Sequence, residues 1–380
     1  MMRFKMKLHN NQKVFFALLK AGLWEKKGRL SPYKDIIFSD VYRIAEEQCV
    51  IGLVAAGLEY VSDVKVPQQW ALQLAGQTIQ LEKRNLAMNE FVAKLIGHLR
   101  EDGVYCVLVK GQGVAQCYER PLWRSSGDVD LLLSDENYKK AQFYLDKIAD
   151  SFNVGTLKEQ NNHHREYHIK DWVVELHGTL NSNLSERIDK VVSSARDKVF
   201  FGGDVRVWDN GKTPVYLPSP NVDVIFVFVH ILQHFFNGGI GFRQVCDWCR
   251  LIWCYHDQMD TALLEKRLNR MGLLTEWKAF ASLAVNYLGM PSDAMPHYDS
   301  SQKWLRKAKR IISYILFTGN FGHNKDFSYT TKHGVLVRKS ISIYLQAKDS
   351  IILGAIFPLD TMRFFARFMR DGLNGIIKRH

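Results

Sequence analysis

The fold is decided by one stretch of sequence, VLVKGQGVAQCYERPLWRSSGDVDLLL at residues 107–133. It begins within a short apolar run at 104–109, continues through a KGQG turn at 110–113, and ends on a second apolar run at 128–133. Short apolar runs bounded by turn residues are typical of buried strands. Two glycines after the first run indicate a tight turn into a helix. The stretch therefore predicts a strand–turn–helix unit followed by a second strand.

The flanking sequence extends this unit into a small sheet between helical regions. A third strand is predicted at 172–177 (WVVELH), and the pattern at 136–148 predicts a helix between the second and third strands. Strands separated by helices favour a mixed α/β sheet. Residues 1–100 and 219–380 carry apolar residues near helical spacing. We therefore predict an α+β protein whose small mixed-sheet core, residues 101–218, lies between two helical regions.

Two acids on the second predicted strand suggest a metal site. On a strand, alternate side chains share a face, so Asp128 and Asp130 would lie about 6.6 Å apart and point the same way. Carboxylates buried side by side resist ionisation unless a cation lies between them. Glu175 on the third strand would join them if the strands are neighbours, and such oxygen ligands suit Mg²⁺ or Mn²⁺. The structural alternative is a strand end with two solvated acids.

The same stretch carries groups that commonly bind phosphate. Backbone N–H groups at Gly111 and Gly113 can approach phosphate oxygens, with Lys110 beside them. Arg124 offers a two-pronged phosphate contact, and Ser126 offers a hydroxyl donor. Because two glycines occur in many turns, the turn alone would be a weak signal. Its combination with the acids indicates a site for a phosphorylated ligand.

This combination resembles the DNA polymerase β-like nucleotidyltransferase superfamily, and more closely a bacterial branch called the uncharacterised nucleotidyltransferase family. Its members carry a Lys-Gly turn, a Tyr–Pro pair, an arginine and an Asp-x-Asp strand, followed by a Glu-x-His strand. The similarity covers most of residues 40–255. Gln112 departs from the superfamily pattern, which usually has serine or glycine there. The matching residues are Lys110, Gly111, Tyr118, Pro121, Arg124, Asp128, Asp130, Glu175, His177, His230, His234, Arg243 and Asp247.

The resemblance implies a metal-dependent enzyme that moves a nucleoside monophosphate from an NTP to an acceptor hydroxyl and releases pyrophosphate. Asp128, Asp130 and Glu175 would be catalytic and would bind Mg²⁺ or Mn²⁺, and Glu175 could also serve as general base. Lys110 and Arg124 would neutralise charge on the phosphoryl oxygens. Two alternatives stay open: a toxin-type enzyme that modifies tRNA or another RNA, and a non-catalytic nucleotide-binding scaffold.

Several histidines near the third strand have both a functional and a structural interpretation. His163, His164 and His168 could bind substrate phosphate or fill a polar hairpin, and we expect His164 to face the site. His177 shares a strand face with Glu175. It could orient a carboxylate or the nucleotide, or it could pack in the core.

Two features of the carboxyl-terminal region also have both a functional and a structural interpretation. Arg243 and Asp247 are four residues apart on a predicted helix, which favours an ion pair, although a helix at the cleft would place the arginine near the triphosphate. Cys246, Cys249 and Cys254 could bind zinc, but structural zinc sites usually use loops and four ligands. We therefore predict three buried thiols without metal.

The charge of the chain is concentrated at its carboxyl-terminal end. Residues 301–380 hold fifteen lysines or arginines and four acids, which accounts for nearly all of the net charge of +12. Arg363, Arg367 and Arg370 form a basic helix face beside three phenylalanines. That face could bind a polyanionic acceptor such as RNA, or it could be a solvated surface.

Composition places the chain among globular proteins of a reducing compartment. Hydrophobic residues make up 47% and charged residues 24%, and no apolar run reaches the roughly 18 residues of a transmembrane span. Six cysteines in 380 residues are too few and too clustered for a disulfide framework. The basic amino end lacks a cleavage site for a signal peptide. We predict a cytoplasmic protein without a transmembrane segment.

Overall fold

The computed structural model describes most of the chain, namely residues 8–153, 164–179, 182, 184–322, 324 and 335–377. Four helices come first: α1 (Asn10–Trp24), α2 (Phe38–Glu47), α3 (Ile51–Glu59) and α4 (Gln68–Glu101). The middle of the chain contains β1 (Cys106–Val109), α5 (Gly111–Ala115), β2 (Asp128–Leu133), α6 (Asp135–Ile148), β3 (Ser151–Asn153), β4 (His164–Ile169), β5 (Trp172–His177), α7 (Glu186–Phe201), β6 (Val205–Asn210) and β7 (Thr213–Pro218).

The remainder is helical. Its elements are α8 (Pro220–Asn237), α9 (Phe242–Tyr255), α10 (Thr261–Met271), α11 (Leu274–Leu288), α12 (Gln302–Thr318), α13 (Val335–Gly354) and α14 (Pro358–Ile377). The protein is therefore mixed α/β with helical amino- and carboxyl-terminal regions, as the sequence predicted. The division into three parts at residues 100 and 218 stays a prediction. In the part of the chain that the structure describes, no helix has the length and apolarity that a membrane crossing requires.

A five-stranded mixed sheet forms the centre of the middle region. Its strand order is β1-β2-β5-β4-β3, and β6 and β7 form a separate hairpin. β1 pairs antiparallel with β2, whereas β2 pairs parallel with β5. In that parallel pair Asp130 lies opposite Glu175. The sheet thus makes the two predicted acidic strands direct neighbours.

Alternation along β5 separates its two faces. Trp172, Val174 and Leu176 are buried in the core on one side of the sheet. Because successive strand side chains point to opposite faces, Glu175 and His177 lie on the other side. Residues in β2 are buried on both faces apart from Asp128 at its start, which explains its continuous apolar run.

The helices at both ends of the chain share one core. Apolar residues of α1, α3, α8, α9, α11 and α12 belong to a single buried cluster. Helix α8 lies at its centre, with twelve buried residues in eighteen, and this explains the long apolar run that follows Pro220. Since α8 also borders the sheet side that carries Glu175, this core holds one wall of the site in place.

Several elements were not predicted from the sequence. Strands β3, β4, β6 and β7 and helix α7 lack the apolar runs that identified β1, β2 and β5, because they are largely half-exposed. The sequence left open one long helix or two helices broken near Gly76, and the structure has one helix, α4, of 34 residues. One glycine costs a helix only about 1 kcal/mol, which packing along the rest of α4 offsets.

Candidate active site

A cavity of about 480 Å³ lies between the open face of the sheet and the helices α8 and α9. The β1–α5 turn, β2 and β5 contribute its charged side. Helix α8 contributes His230 and His234, helix α9 contributes Arg243, and Phe321 completes the lining. A volume of this size is within the range of about 300–1,000 Å³ that small-molecule sites occupy.

Three carboxylates meet at the charged side of this cavity. Asp128, Asp130 and Glu175 each offer an oxygen, and these atoms all lie within 4.8 Å of one another. The parallel register of β2 and β5 brings them together, because it places Asp130 beside Glu175. They converge as the sequence predicted. Their chemical roles stay a prediction.

The ammonium group of Lys110 lies against these three carboxylates, and the Lys110 backbone is strained. Its Nζ lies 2.6 Å from Asp130 Oδ1. Its φ of 58° and ψ of −144° belong to a region that L-residues rarely adopt. The strain arises at the sharp turn from β1 into α5, which directs the side chain toward β2. Burial lowers the pKa of Lys110, but the charges of Asp130, Glu175 and Asp128 outweigh burial and raise it. The lysine is therefore charged at neutral pH.

The two aspartates of β2 experience opposite electrostatic effects. The charge of Asp130, followed by burial, raises the pKa of Asp128. Burial also raises the pKa of Asp130, but the Lys110 charge and a hydrogen bond from His177 outweigh it, so this pKa is lowered. The negative charge of Asp130 is thus balanced by Lys110 and His177, whereas the negative charge of Asp128 is repelled by that of Asp130.

Two histidines brace the acids. His177 Nε2 lies 2.7 Å from Asp130 Oδ1 and 3.4 Å from Glu175 Oε2. His164 Nε2, on β4, lies 3.2 Å from the same Glu175 oxygen. Burial raises the pKa of Glu175, but hydrogen bonds from His164 and His177 outweigh burial and lower it. Of the other two predicted histidines, His168 pairs with Glu166 at an exposed position, and His163 lies outside the described residues.

Arg124, predicted to contact phosphate, is engaged within the protein. Only 4% exposed, it donates from Nη2 to Asp247 Oδ2 at 2.7 Å and from Nε to Asp247 Oδ1 at 3.0 Å. Its Nη1 donates to Ser126 Oγ, which in turn donates to Gln112 Oε1. Tyr118 donates to Asp247 Oδ1 at 2.7 Å. These residues form a buried clamp between the 107–133 stretch and α9.

The clamp changes the interpretation of Arg243. The sequence allowed an ion pair between Arg243 and Asp247, but Asp247 is paired with Arg124 instead. The Arg243 side chain lines the cavity, and its Nη1 lies 3.4 Å from the carbonyl oxygen of Ser125. A cation at this position can reach a ligand in the cavity.

The two glycines of the turn have different surroundings. Gly111 lines the cavity and has a φ of 37°, which favours glycine. Gly113 instead packs against Leu217, where a Cβ would lie 2.7 Å from the leucine Cδ2. Close packing is therefore sufficient reason for glycine at 113, and its predicted phosphate contact has no support from this geometry.

The prediction of three buried thiols is wrong for one cysteine, and the arginine face that the sequence left open forms ion pairs within the protein. Cys246 and Cys249 are buried, but Cys254 is exposed, because five helical residues rotate it about 140° from Cys249. The arginine face of α14 pairs with acids of the same protein rather than lying free. Its ion pairs are Arg363–Asp360, Arg367–Asp189 and Arg370–Glu186.

Three cavity residues were given no role from the sequence. His230 and His234 are separated by one helical turn, and that spacing on an apolar helix was a usable signal. Phe321 follows α12 and reaches the cavity only through the tertiary fold, so no local pattern marks it.

Acids that can hold divalent cations, beside lysine and arginine in one cleft, are typical of enzymes that transfer phosphoryl or nucleotidyl groups. The comparison with known families gives the same class. The chain belongs to the uncharacterised nucleotidyltransferase family, whose model matches residues 35–289. No curated protein and no solved structure matches it.

Proposed function

We propose that this chain is an active, metal-dependent nucleotidyltransferase that moves a nucleoside monophosphate from an NTP to an acceptor hydroxyl. The observation that carries the proposal is the convergence of Asp128, Asp130 and Glu175 within 4.8 Å. Lys110 and Arg243 line the same cavity and can bind a triphosphate. Acids alone would repel that substrate, whereas acids and cations together favour a triphosphate that carries a divalent ion.

The donor set fits a hard divalent cation. Three carboxylates supply oxygen ligands only, which suits Mg²⁺ or Mn²⁺. An overlapping group, His164, Glu175 and His177, would add nitrogen ligands that suit softer metals. We assign Mg²⁺ or Mn²⁺ to the all-carboxylate set. A divalent cation bound there would lower the pKa of the attacking hydroxyl and neutralise phosphate charge.

The remaining residues would bind and orient the substrate. Lys110, Arg243 and the Gly111 backbone would hold the triphosphate and stabilise the charge that builds on its oxygens. The acceptor oxygen would form a bond to the α-phosphorus, and the bond from that phosphorus to the oxygen bridging to the β-phosphate would break. Pyrophosphate would leave, and the acceptor proton would pass to solvent. The lowered pKa of Glu175 favours a ligand over a general base. We assign Arg124 and Ser126 to positioning.

Transfer of label from each NTP in turn, with Mg²⁺ and a cell extract as the source of acceptors, tests the proposal. Asp130→Asn should lower transfer by about 100-fold or more, because it removes a central ligand. Asp257→Asn, at an acid that is 88% exposed, serves as the matched control and should be unchanged. Full activity of Asp130→Asn would contradict the mechanism. Wild-type NTP binding without transfer to any acceptor would favour the scaffold alternative.

The acceptor and the compartment stay predictions. The sequence left open whether the arginine face of α14 binds a polyanion such as RNA or is a solvated surface, and each of its arginines lies beside an acid of the same protein. The toxin-type alternative, which the positive charge of the whole 301–380 region would serve, stays open. A cytoplasmic location would give the enzyme access to NTPs.

A further inference from the structure

One aromatic side chain of the cavity takes no part in the chemistry proposed above. Phe321 lines the cavity although its side chain is 47% exposed. It lies outside residues 35–289, the part of the chain that matches the family. An apolar ring that remains open to water in a ligand-sized cavity has surface available for a ligand.

The backbone at Phe321 is held in an unfavourable conformation. Its φ of 50° and ψ of 28° are left-handed, a region that costs energy for a residue with a large side chain. The side-chain amide of the preceding residue, Asn320, forms hydrogen bonds through both its oxygen and its nitrogen. Gln244 Nε2 donates to Asn320 Oδ1 at 3.0 Å, and Asn320 Nδ2 donates to Cys49 Sγ at 3.1 Å. The surrounding structure therefore keeps the ring at the cavity despite the strain.

A pair of neutral histidines adjoins this ring. The ring centroids of Phe321 and His234 are 4.8 Å apart, and those of His234 and His230 are 4.4 Å apart. Burial, followed by the charge of Lys110, lowers the pKa of both histidines, that of His234 to about 4. A neutral imidazole carries one donor and one acceptor. An aromatic face thus lies beside polar groups that can form hydrogen bonds to the edge of a planar ligand.

We propose that Phe321 and His234 form a nucleobase subsite, in which the Phe321 ring stacks on the base and His230 and His234 hydrogen-bond to its edge. The inference rests on the proposed function, because it divides one cavity between the two parts of an NTP. The triphosphate lies with Lys110 and Arg243, and the base lies with the aromatic group. Proteins commonly bind bases by this combination of stacking and edge hydrogen bonds.

Two probes separate base recognition from phosphate recognition. Calorimetry would measure the binding of each NTP and of inorganic tripolyphosphate, both with Mg²⁺, to the full chain. Phe321→Ala should weaken binding of at least one NTP roughly tenfold and leave tripolyphosphate within twofold, because stacking is lost and phosphate contacts remain. Phe321→Trp should retain NTP binding, and Phe321→Leu should lose it. Phe317→Ala, at a neighbouring phenylalanine that is 57% exposed, is the matched control.

The remaining outcomes overturn the subsite in distinguishable ways. Equal loss of NTP and tripolyphosphate binding in Phe321→Ala would mean that the ring supports the cavity rather than the base. Unchanged NTP binding with reduced transfer would assign the ring to the acceptor. Wild-type protein that binds neither probe would overturn the proposed function, and the base subsite with it.

Discussion

Asp128 and Asp130 show how neighbouring residues with the same side chain acquire different energetics. Both lie on one face of β2, but only Asp130 contacts Lys110 and His177. Asp128 is left with the charge of Asp130 beside it, which raises its pKa. From the sequence alone the two residues were equivalent.

The structure predicts opposite effects on stability for the two residues. Without divalent ions at pH 7, Asp128→Asn should raise the free energy of unfolding by about 1 kcal/mol, because it removes a repelled charge. Asp130→Asn should lower it by about 1–3 kcal/mol, because Lys110 loses its buried partner. Urea unfolding in EDTA would measure both. Equal and favourable shifts would show that the Lys110 contact does not stabilise the fold.

Added Mg²⁺ provides an internal check on that prediction. Ligands that bind only the folded state stabilise it, so wild-type protein should gain stability in Mg²⁺. Asp128→Asn should gain less, because it lacks a metal ligand. An equal gain in both proteins would separate Asp128 from the metal site.

Element by element, the site depends on contacts between segments far apart in sequence. The clamp of Tyr118, Arg124 and Asp247 joins the loop before β2 to α9, which carries Arg243 at the cavity. Residues that lie 123 and 129 positions apart in the chain are therefore fixed relative to one another by buried hydrogen bonds. Buried charged pairs are costly to break on one side only.

Single and paired substitutions distinguish a clamp from a phosphate contact. Arg124→Lys and Asp247→Asn should each cost about 2–4 kcal/mol of stability and weaken NTP binding together, because each leaves a buried partner unsatisfied. The pair Arg124→Met with Asp247→Leu should recover much of the stability, since it removes both charges. Loss of NTP binding in Arg124→Lys with normal stability, and no effect of Asp247→Asn, would instead indicate direct phosphate binding.

At the scale of the whole molecule, a buried acid joins the carboxyl-terminal helices to the core. Glu276 on α11 is 1% exposed and interacts with Asp360 of α14 and with Lys307. Asp360 in turn pairs with Arg187 and Arg363. Burial, followed by the charge of Asp360, raises the pKa of Glu276 to about 8. The unfolded chain has its ordinary lower value, so the folded state holds this proton more tightly.

That difference predicts a stability that depends on pH. The contribution of Glu276 is fully present below its unfolded pKa near 4.5 and is lost as the pH rises toward 8. Glu276→Gln should remove about 2–4 kcal/mol of this decline between pH 5 and 8. Denaturant unfolding across that range would measure it, with the exposed Glu265→Gln on α10 as control. An unchanged pH profile in Glu276→Gln would show that the acid is not buried as described.

Local patterns were sufficient for the parts of the fold that repeat along the chain. Strands β2 and β5 were predicted with their observed bounds, and the prediction that Asp128 and Asp130 share one strand face followed from strand geometry alone. The half-exposed strands β4, β6 and β7 were not predicted, because they lack a run of apolar residues and are stabilised by pairing with other strands. Of the site, the sequence identified the acids, Lys110 and, as one of two interpretations, a histidine beside a carboxylate, but it did not show which acid each of these groups pairs with.

The features that the sequence did not predict depend on contacts between residues that are far apart in the chain. The period of a strand places Asp128 and Asp130 on one face, but only the parallel register with β5 adds Glu175. Arg124 carries the same charge whether it binds phosphate or Asp247, so its sequence position could not choose between them. Phe321 reaches the cavity from a segment after α12 through tertiary packing alone. The periodicity of apolar residues is a property of one segment and can be read from the sequence. Strand pairing, burial and the direction of a pKa shift are set by the residues that the tertiary structure places next to that segment.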